Sequence, residues 1–273
     1  FRNSQLWVSE GTNESTKPVL SGTFPNFPRS PIYLINFKGK VYFMSYYFDN
    51  ANDFKVGLYA TDGTEAGTNL IKSFDNGGDY INSYINFLQK SDDRLFFSMN
   101  FRSDSFDLWT SDGSTSGTEF VKQVQVSFAS QNFKYSSVGD KFYLFNCGDY
   151  SENYKLTLWV SDGTSDGTIQ LLNDNGNIFP FISTASFNDK LYFNKYDPKY
   201  GYELWSTDGT VNGTYLVKDV RPGNKNTITG NILSLGEKLI FWAIDSQLNT
   251  EPWTYTSTQC RVACLPIAIK KIR

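Results

Sequence analysis

Short apolar runs, each preceded by a turn rich in Gly, Asn or Asp, recur along most of the chain. The clearest series comprises residues 40–43, 94–97, 141–144, 190–193 and 238–241. Turns such as Gly139-Asp140 and Asn188-Asp189 precede them, and these residue types accept the positive φ that tight hairpin loops need. The pattern predicts a β-hairpin at each position, with a strand A entering the turn and a strand B leaving it.

A longer motif recurs in a second register. Residues 204–214 read Leu-Trp-Ser-Thr-Asp-Gly-Thr-Val-Asn-Gly-Thr, with related copies at 158–168, 108–118 and 58–68 and a degraded copy at 6–12. The aromatic residues of these copies, with a last echo near the C-terminus, are Trp7, Tyr59, Trp109, Trp159, Trp205 and Trp253. Their intervals of 52, 50, 50, 46 and 48 residues are typical of four-stranded propeller repeats. The Leu-Trp segment is interpreted as strand C, and the residues after the Asp-Gly-Thr turn as strand D.

These units predict an all-β fold, a single β-propeller of five four-stranded blades over residues 1–256. The N-terminal segment supplies strands C and D, four complete units span about residues 31–219, and residues 227–256 supply strands A, B and C. We expect the first residues to complete the sheet begun by the last ones, because that closure leaves no open strand edge. Residues 257–273 are predicted to form a tail outside the repeat. A linear stack of β-units is the alternative, but it would need polar end caps.

Charge and composition argue against several classes of function. The net charge is −3 over 273 residues, and nucleic-acid binding needs clustered Lys and Arg. The chain contains no His, which removes Ser-His-Asp and Cys-His catalysis. No apolar run is long enough to span a membrane, and residues 1–9 do not resemble a signal peptide.

The cysteines and two Asn residues bear on the cellular location. Cys147, Cys260 and Cys264 are too few for a disulfide-stabilised fold or, without His, for a typical zinc site. A disulfide between Cys260 and Cys264 would leave one thiol, and the pairing stays open. Asn13 and Asn212 begin Asn-x-Ser/Thr triplets and are candidate glycosylation sites. The two triplets favour an extracellular or cell-surface location.

The fullest copy of the motif also contains residues that flank it. Residues 203–210 read Glu-Leu-Trp-Ser-Thr-Asp-Gly-Thr, followed by Gly213-Thr214 and by Val-Lys-Asp at 217–219. This segment resembles the ELWxxDGT repeat of large secreted microbial proteins, and the resemblance covers nearly the whole chain. It implies an extracellular β-propeller without an agreed biochemical activity. The first residue of the motif varies between units, as Gly57, Asp107, Thr157, Glu203 and Glu251, so a function that depends on this Glu would not be shared by every unit.

Two sets of repeated residues have a structural interpretation and a functional alternative. We expect the repeated aromatic residues to pack neighbouring sheets together, and stacking on sugar rings is the alternative. The repeated turn carboxylates are Asp62, Asp112, Asp162 and Asp208. We expect each to accept hydrogen bonds from its own turn, and calcium binding is the alternative because Ca²⁺ prefers oxygen ligands. No other cofactor is predicted, and the metal content stays open.

The loops between strands B and C differ from unit to unit, and variable loops on a rigid scaffold commonly carry binding residues. Three of these loops combine Tyr with Asp, at Tyr46, Tyr47 and Asp49, at Asp149, Tyr150 and Tyr154, and at Tyr196, Asp197, Tyr200 and Tyr202. Aromatic rings beside carboxylates suit a neutral carbohydrate. These residues are the candidate ligand-binding site.

The sequence therefore predicts a non-catalytic extracellular module, with multivalent, lectin-like carbohydrate binding as the first hypothesis. Its partner would be a glycan or an extracellular protein. A structural or adhesion domain of a surface assembly is the alternative, which predicts a partner interface rather than a small-ligand site. A glycoside hydrolase with two catalytic carboxylates is disfavoured, because the repeats offer no unique acidic pair.

Overall fold

The computed structural model describes residues 5–20, 26–51, 53–74, 87–99, 104–126, 132–147, 156–174, 182–256 and 268–271, and every regular element within them is a β-strand. The chain divides into two compact units, unit 1 (residues 1–126 and 163–165) and unit 2 (residues 127–162 and 166–273). The predicted all-β fold is confirmed.

Unit 1 contains one two-stranded and two four-stranded antiparallel sheets. The small sheet pairs β1 (Trp7–Val8) with β2 (Lys17–Pro18). Sheet I consists of β3 (Ile32–Phe37), β4 (Lys40–Phe48), β5 (Phe54–Thr61) and β6 (Asn69–Phe74). Sheet II consists of β7 (Leu88–Lys90), β8 (Leu95–Met99), β9 (Ser105–Ser111) and β10 (Thr118–Gln125).

Unit 2 contains three four-stranded antiparallel sheets. Sheet III consists of β11 (Asn132–Val138), β12 (Lys141–Cys147), β13 (Leu156–Ser161) and β14 (Ile169–Asp174). Sheet IV consists of β15 (Thr184–Phe187), β16 (Lys190–Asp197), β17 (Gly201–Thr207) and β18 (Tyr215–Lys218). Sheet V consists of β19 (Ile228–Leu235), β20 (Lys238–Ile244), β21 (Thr250–Thr256) and β22 (Ala268–Lys271).

The predicted hairpins between strands A and B are present in all five four-stranded sheets. In sheet IV, Phe187 pairs with Lys190, and the two turn residues between them, Asn188 and Asp189, have φ of 47° and 56°. Two consecutive positive φ angles match the twist of the flanking strands. The Asn and Asp residues at this turn therefore have the conformation that their positions predicted.

A bulge recurs where the third strand of a sheet meets the fourth. The register shifts between Leu58 and Tyr59 in sheet I and between Leu204 and Trp205 in sheet IV. Sheet III has the same shift between Leu158 and Trp159. Because a bulge bends its strand and redirects side chains, the repeated Leu-aromatic dipeptide marks a repeated backbone feature as well as a repeated packing position.

The strands at the two ends of the chain pair differently from the predicted closure. The fourth strand of sheet V is β22, with Tyr255 opposite Ile269 and Trp253 opposite Lys271. Residues 268–271 were predicted to lie in a tail outside the repeat, and the N-terminal segment was predicted to supply this strand. That segment instead forms its own pair, with Trp7 opposite Pro18. Residues 268–271 supply the main-chain partners of β21 without carrying the repeat motif, which is why the motif search did not find them.

The core lies between the faces of successive sheets within each unit. In unit 1, buried residues of sheet I such as Met44 and Leu58 cluster with Leu95 and Phe97 of sheet II. In unit 2, one cluster joins sheets III and IV and another joins sheets IV and V. Both faces of sheet IV are therefore covered, and its strands contain long buried runs rather than strict alternation; β16 is buried at five consecutive positions.

Candidate functional site

The Asp-Gly-Thr turn between the third and fourth strands has the same hydrogen bonds in different sheets. In sheet I, Asp62 Oδ1 accepts hydrogen bonds from the main-chain N–H of Thr64 at 2.9 Å and from its hydroxyl at 2.7 Å. In sheet IV, Asp208 Oδ1 accepts the same two bonds from Thr210 at 2.9 and 2.7 Å. The Thr hydroxyl is the main cause of the lowered pKa of both carboxyl groups. These carboxylates are hydrogen-bonded within their own turns.

The second glycine of the motif is required for steric reasons. A Cβ atom at Gly117 would collide with the carboxylate of Asp112, five positions earlier. The same collision recurs between Gly67 and Asp62, Gly167 and Asp162, and Gly213 and Asp208. The spacing of Asp and Gly in the motif is therefore set by the packing of the turn on its own carboxylate.

The turn of one sheet is also contacted by the hairpin of the sheet before it. In unit 1, the Tyr42 hydroxyl of sheet I donates to the main-chain oxygen of Gly113 in sheet II at 3.3 Å, and Lys38 Nζ donates to that of Asp112 at 3.4 Å. In unit 2, Lys141 Nζ of sheet III donates to the main-chain oxygen of Asp208 in sheet IV at 2.7 Å. Repeated polar contacts thus connect neighbouring sheets within a unit.

Sheet V has an exposed apolar face, whereas the corresponding face of sheet IV is packed against its neighbour. Leu233, Leu235, Ile240 and Trp242 of β19 and β20 share one face, here called the open face, because Leu233 is paired with Ile240 and the others follow at intervals of two. Leu233, Leu235 and Trp242 are 61%, 67% and 49% exposed. A groove of about 410 Å³ lies along this face between Gly230 and Trp242. In sheet IV, the corresponding pair, Ala185 and Tyr192, packs in the cluster with sheet V.

The predicted binding residues of the first variable loop are mostly engaged in packing. Tyr47 is 3% exposed, and its hydroxyl is 2.6 Å from Ser73 Oγ, to which it donates. The ring of Tyr46 stacks on Phe54 with centroids 5.1 Å apart. Asp49 Oδ1 accepts hydrogen bonds from the main-chain N–H groups of residues 51 and 53 at 3.0 and 2.8 Å. The rings do not form a platform open to solvent.

The third variable loop is the one that the structure brings into a polar cluster. The rings of Tyr196 and Tyr202 lie 5.4 Å apart, and Tyr202 is 9% exposed. Asp197 Oδ1 accepts a hydrogen bond from the N–H of Lys199 at 2.9 Å, and the Lys199 ammonium lies 4.8 Å from the centre of the Tyr200 ring. The second loop, with Asp149, Tyr150 and Tyr154, lies outside the described residues.

A buried lysine is the centre of this cluster. Lys195 of β16 is 3% exposed, and its Nζ lies 2.7 Å from Asp174 Oδ2 and 3.6 Å from Asp197 Oδ2. The same ammonium is 4.1 Å from the centre of the Trp205 ring, within the range of a cation–π interaction. The buried charge is thus compensated by two carboxylates and an aromatic ring.

Two further carboxylates lie nearby, Glu203 in β17 of sheet IV and Asp219 directly after β18. Glu203 of β17 is fully buried, and its Oε2 accepts a hydrogen bond from the N–H of Val220 at 3.4 Å. Glu203 Oε1 and Asp219 Oδ1 are both buried and have no hydrogen-bond partner among the described residues. Burial raises the pKa of Glu203 to about 8, although hydrogen bonds with the Thr227 side chain and the main chain of Val220 and Arg221 lower it; the charge of Asp219 raises it further. Glu203 and Asp219 both belong to the repeat motif in the sequence, but neither was predicted to form a site, and Lys195 was not identified from the sequence.

The repeated aromatic residues mostly contact other rings or charged groups. Tyr59 stacks on Phe43 with centroids 5.2 Å apart, and Trp109 meets Phe74 edge to face at 5.0 Å. Trp7 of the small sheet is 57% exposed. The indole N–H groups of Trp109, Trp159, Trp205 and Trp253 are buried without an acceptor in the described part of the chain.

The remaining candidate residues do not converge on a site. Asn13 and Asn212 are exposed, and the Cys147 thiol is buried, whereas Cys260 and Cys264 lie outside the described residues. Within the described ranges, no three Asp, Glu, Cys or His side chains group together as metal ligands do. Nor does that part of the chain contain a helix with the length and apolar character needed to cross a membrane.

Comparison with known proteins finds similarity of structure only. No family model and no curated protein matches the sequence. A puromycin hydrolase aligns with 94% of this chain at 13% identity and a TM-score of 0.44, and the chain spans 40% of that protein's length. An acylaminoacyl peptidase from Pyrococcus horikoshii aligns with 92% of this chain at 17% identity and a TM-score of 0.40, and the chain spans 40% of that protein's length. The β-propeller domain of the Trilobed protease from Pyrococcus furiosus aligns with 98% of this chain at 14% identity and a TM-score of 0.37, and 75% of that chain is covered.

The predicted lectin-like carbohydrate-binding module is wrong. The solved structures named above are peptidases or a protease domain. In the first and third variable loops, Tyr47 and Tyr202 are 3% and 9% exposed, so these two rings are not open to a ligand. Tyr residues in these loops were assigned to the surface because the sequence does not show which loop residues fold back onto a sheet.

Proposed function

We propose that the chain is a non-catalytic protein-interaction domain whose binding surface is the open face of sheet V. The observation that carries this proposal is the exposure of Leu233, Leu235 and Trp242, at 61%, 67% and 49%, on adjacent strands of one sheet. A contiguous apolar surface of this kind is typical of an interaction site. Covering a Leu or Trp side chain fully contributes about 1.5–3 kcal/mol, so three of them supply a substantial driving force.

The occupant we propose is a second copy of this chain, docked by its Asp62-Gly63 turn. Elsewhere in the chain a hairpin face meets the Asp-Gly turn of a following sheet, as Tyr42 meets Gly113. The Asp62-Gly63 turn receives no hydrogen bond from another sheet within the described residues, and the closest approach to a Cβ placed on Gly63 is Val8 Cγ2 at 3.5 Å. A cavity of about 240 Å³ lined by Trp7, Leu34 and Lys40 adjoins this turn.

The two surfaces are complementary in the same way as the hairpin of one sheet and the Asp-Gly turn of the next sheet within the chain. The open face presents apolar side chains with the exposed Lys238 beside them, at the position where Lys141 donates to the turn of sheet IV. The Asp62-Gly63 turn presents main-chain carbonyl oxygens beside the exposed Trp7 and Leu34. Joining different surfaces of two copies is a head-to-tail contact, so the proposal predicts open chains or closed rings rather than only dimers.

Sedimentation velocity over a hundredfold range of concentration tests the proposal. The wild-type chain is expected to associate as its concentration rises, and Trp242→Thr should weaken association by about tenfold or more, since Thr keeps a strand-compatible side chain but removes apolar area. Leu248→Asn is the matched control, because Leu248 is 71% exposed but lies off the open face with a φ of 69°, which Asn tolerates.

Mixing two variants tests the head-to-tail geometry. Trp242→Thr impairs the open face, and Trp7→Ser impairs the surface beside the Asp62-Gly63 turn, so each variant alone should associate weakly. Their mixture retains one intact pair of surfaces and should form a 1:1 complex. A wild-type chain that stays monomeric at every concentration, or a Trp242→Thr chain that associates normally, would contradict the proposal.

A further inference from the structure

Two carboxylate oxygens, Glu203 Oε1 and Asp219 Oδ1, are buried without a hydrogen-bond partner among the described residues, and the proposed protein-interaction role does not explain them. Glu203 is fully buried, and its Oε1 has no partner among the described residues. Asp219 follows β18 directly; its Oδ2 accepts a hydrogen bond from the N–H of Gly223 at 3.4 Å, whereas its Oδ1 is buried and unpartnered. Buried carboxylate oxygens without a proton, a donor or a cation are strongly disfavoured.

The buried ammonium of Lys195 does not pair with either of these oxygens. Lys195 lies directly opposite Glu203 in the strand register, but its Nζ is paired with Asp174 and Asp197. Lys199 is within electrostatic reach of Asp219 but is exposed to solvent. The Glu203 and Asp219 charges therefore have no buried ammonium or guanidinium group placed between them in the described residues.

The loop that joins β18 to β19 is held firmly beside the two carboxylates. The N–H of Thr227 donates to the main-chain oxygen of Tyr202 at 2.9 Å, and the N–H of Tyr202 donates to Asn226 Oδ1 at 3.3 Å. The main chain at Lys225 approaches Gly201 so closely that a Cβ atom there would lie 2.5 Å from the Lys225 carbonyl. The N–H groups of Val220 and Gly223 in this loop donate to Glu203 Oε2 and Asp219 Oδ2, so the main chain of the loop lies beside both carboxylates.

We propose that Glu203 Oε1 and Asp219 Oδ1 bind one Ca²⁺ ion, with main-chain carbonyl oxygens of residues 219–227 and water as the remaining ligands. Two carboxylates neutralise the charge of one divalent ion. Calcium takes six to eight oxygen ligands in irregular geometry, often including main-chain carbonyls, whereas Mg²⁺ demands near-ideal octahedral geometry and retains its water. The absence of Cys and His from the pair argues against a softer metal such as zinc.

Among sheets I to IV, the repeat predicts this site in sheet IV alone. The cross-strand pairs at the equivalent positions are Gly57 with Ser73, Asp107 with Gln123, and Thr157 with Asn173. Each of those pairs contains at most one carboxylate, whereas positions 203 and 219 of sheet IV hold two. The proposal therefore specifies a stoichiometry of one Ca²⁺ per chain, and it is independent of the four turn carboxylates.

The test is isothermal titration calorimetry of the full chain with CaCl₂ after removal of metals by a chelator, together with thermal unfolding in Ca²⁺ and in Mg²⁺. We expect one Ca²⁺ per chain, a rise in the melting temperature with Ca²⁺ that Mg²⁺ does not reproduce, and an affinity reduced by about tenfold or more in Glu203→Gln and in Asp219→Asn. Asp107→Asn, at the equivalent position of sheet II, is the matched control and should bind Ca²⁺ like the wild type.

A second measurement protects the test against a variant that fails to fold. Tb³⁺ added to the wild-type chain should give luminescence on excitation of Trp, because Trp205 lies two residues from Glu203, and Ca²⁺ should displace it. The absence of calorimetric heat, thermal shift and Tb³⁺ signal in the wild type would overturn the proposal and leave a shared proton as the explanation. Binding that persists unchanged in both Glu203→Gln and Asp219→Asn would also overturn it.

Discussion

Lys195 and Glu203 are direct cross-strand neighbours on β16 and β17, yet the Lys195 ammonium pairs with Asp174 of sheet III at 2.7 Å. The ion pair that the register within sheet IV would allow is replaced by one that connects two sheets of unit 2. Glu203 consequently keeps a buried carboxylate without this cation. The pairing of Lys195 with Asp174 therefore connects two sheets, and it also leaves Glu203 beside Asp219 without a cation.

Replacing Lys195 should destabilise unit 2. Lys195→Met keeps much of the apolar side chain but leaves Asp174 and Asp197 without their cation and removes the contact with Trp205. Breaking a fully buried pair costs about 3–5 kcal/mol, and because Asp174 is 41% exposed we expect a smaller loss of about 1–3 kcal/mol. Urea unfolding followed by Trp fluorescence measures it.

The control for this change is Lys55→Met in unit 1. Lys55 Nζ lies 3.9 Å from Asp49 Oδ2, with both side chains more exposed than Lys195, so the loss should be below about 1 kcal/mol. Equal losses for the two variants would show that the buried position of Lys195 does not matter, contrary to the expectation.

Gly117→Ala should damage the Asp-Gly-Thr turn of sheet II. The new Cβ would collide with the Asp112 carboxylate, which accepts a hydrogen bond from the N–H of Ser114 at 2.8 Å. Displacing the carboxylate breaks the turn's hydrogen bonds, and we expect a loss of about 1–3 kcal/mol of unfolding free energy. Thermal unfolding measures it, and Ser116→Ala in the same turn is the control. If Gly117→Ala were as stable as the control, the carboxylate would have room that the structure does not show.

Cys147 should be unreactive in the folded protein. Its thiol is 2% exposed, and burial raises its pKa to about 12, so neither access nor thiolate formation favours reaction. A chain with Cys260→Ser and Cys264→Ser isolates this thiol. Ellman's reagent should detect no thiol under native conditions and one thiol per chain in urea; rapid reaction of the folded chain would contradict the buried position.

The four-stranded unit could be predicted from the sequence because its signals are local. Hairpin turns such as Asn188-Asp189 and the Asp-Gly-Thr motif are read over a few residues, and their repetition fixes the strand order. The fourth strand of sheet V could not be predicted, because residues 268–271 carry no motif. They form a strand only by pairing with the edge of β21. The five-bladed propeller itself stays a prediction.

The candidate site was predictable only in part, for a similar reason. Tyr196, Asp197 and Tyr202 were selected from their loop, and they do lie in the polar cluster of sheet IV. Asp219 was not selected, because its approach to Glu203 depends on the register of β17 and β18 across the bulge at Leu204. The sequence also cannot show that Trp242 is exposed and Ile240 only partly buried when Tyr192, the equivalent of Ile240, is buried.

Glu203 should make the stability of the metal-free chain depend on pH. Burial raises its folded-state pKa to about 8 from an unfolded value near 4.5, so the folded chain holds a proton that the unfolded chain has released. Folding stability from this group is fully present below about pH 4.5 and is lost as the pH rises toward about pH 8. Because the chain contains no His, few other side chains titrate in this window.

Urea midpoints measured in chelator at several pH values between about 5 and 8 should therefore fall as the pH rises. Glu203→Gln, which cannot ionise, should flatten this dependence, whereas Asp107→Asn should leave it unchanged. Adding Ca²⁺ to the wild type should restore stability most strongly at the alkaline end, because the ion binds the ionised carboxylate and competes with the proton. A wild-type midpoint that rises with pH in chelator would mean that Glu203 is ionised in the folded chain and that another donor or cation satisfies it.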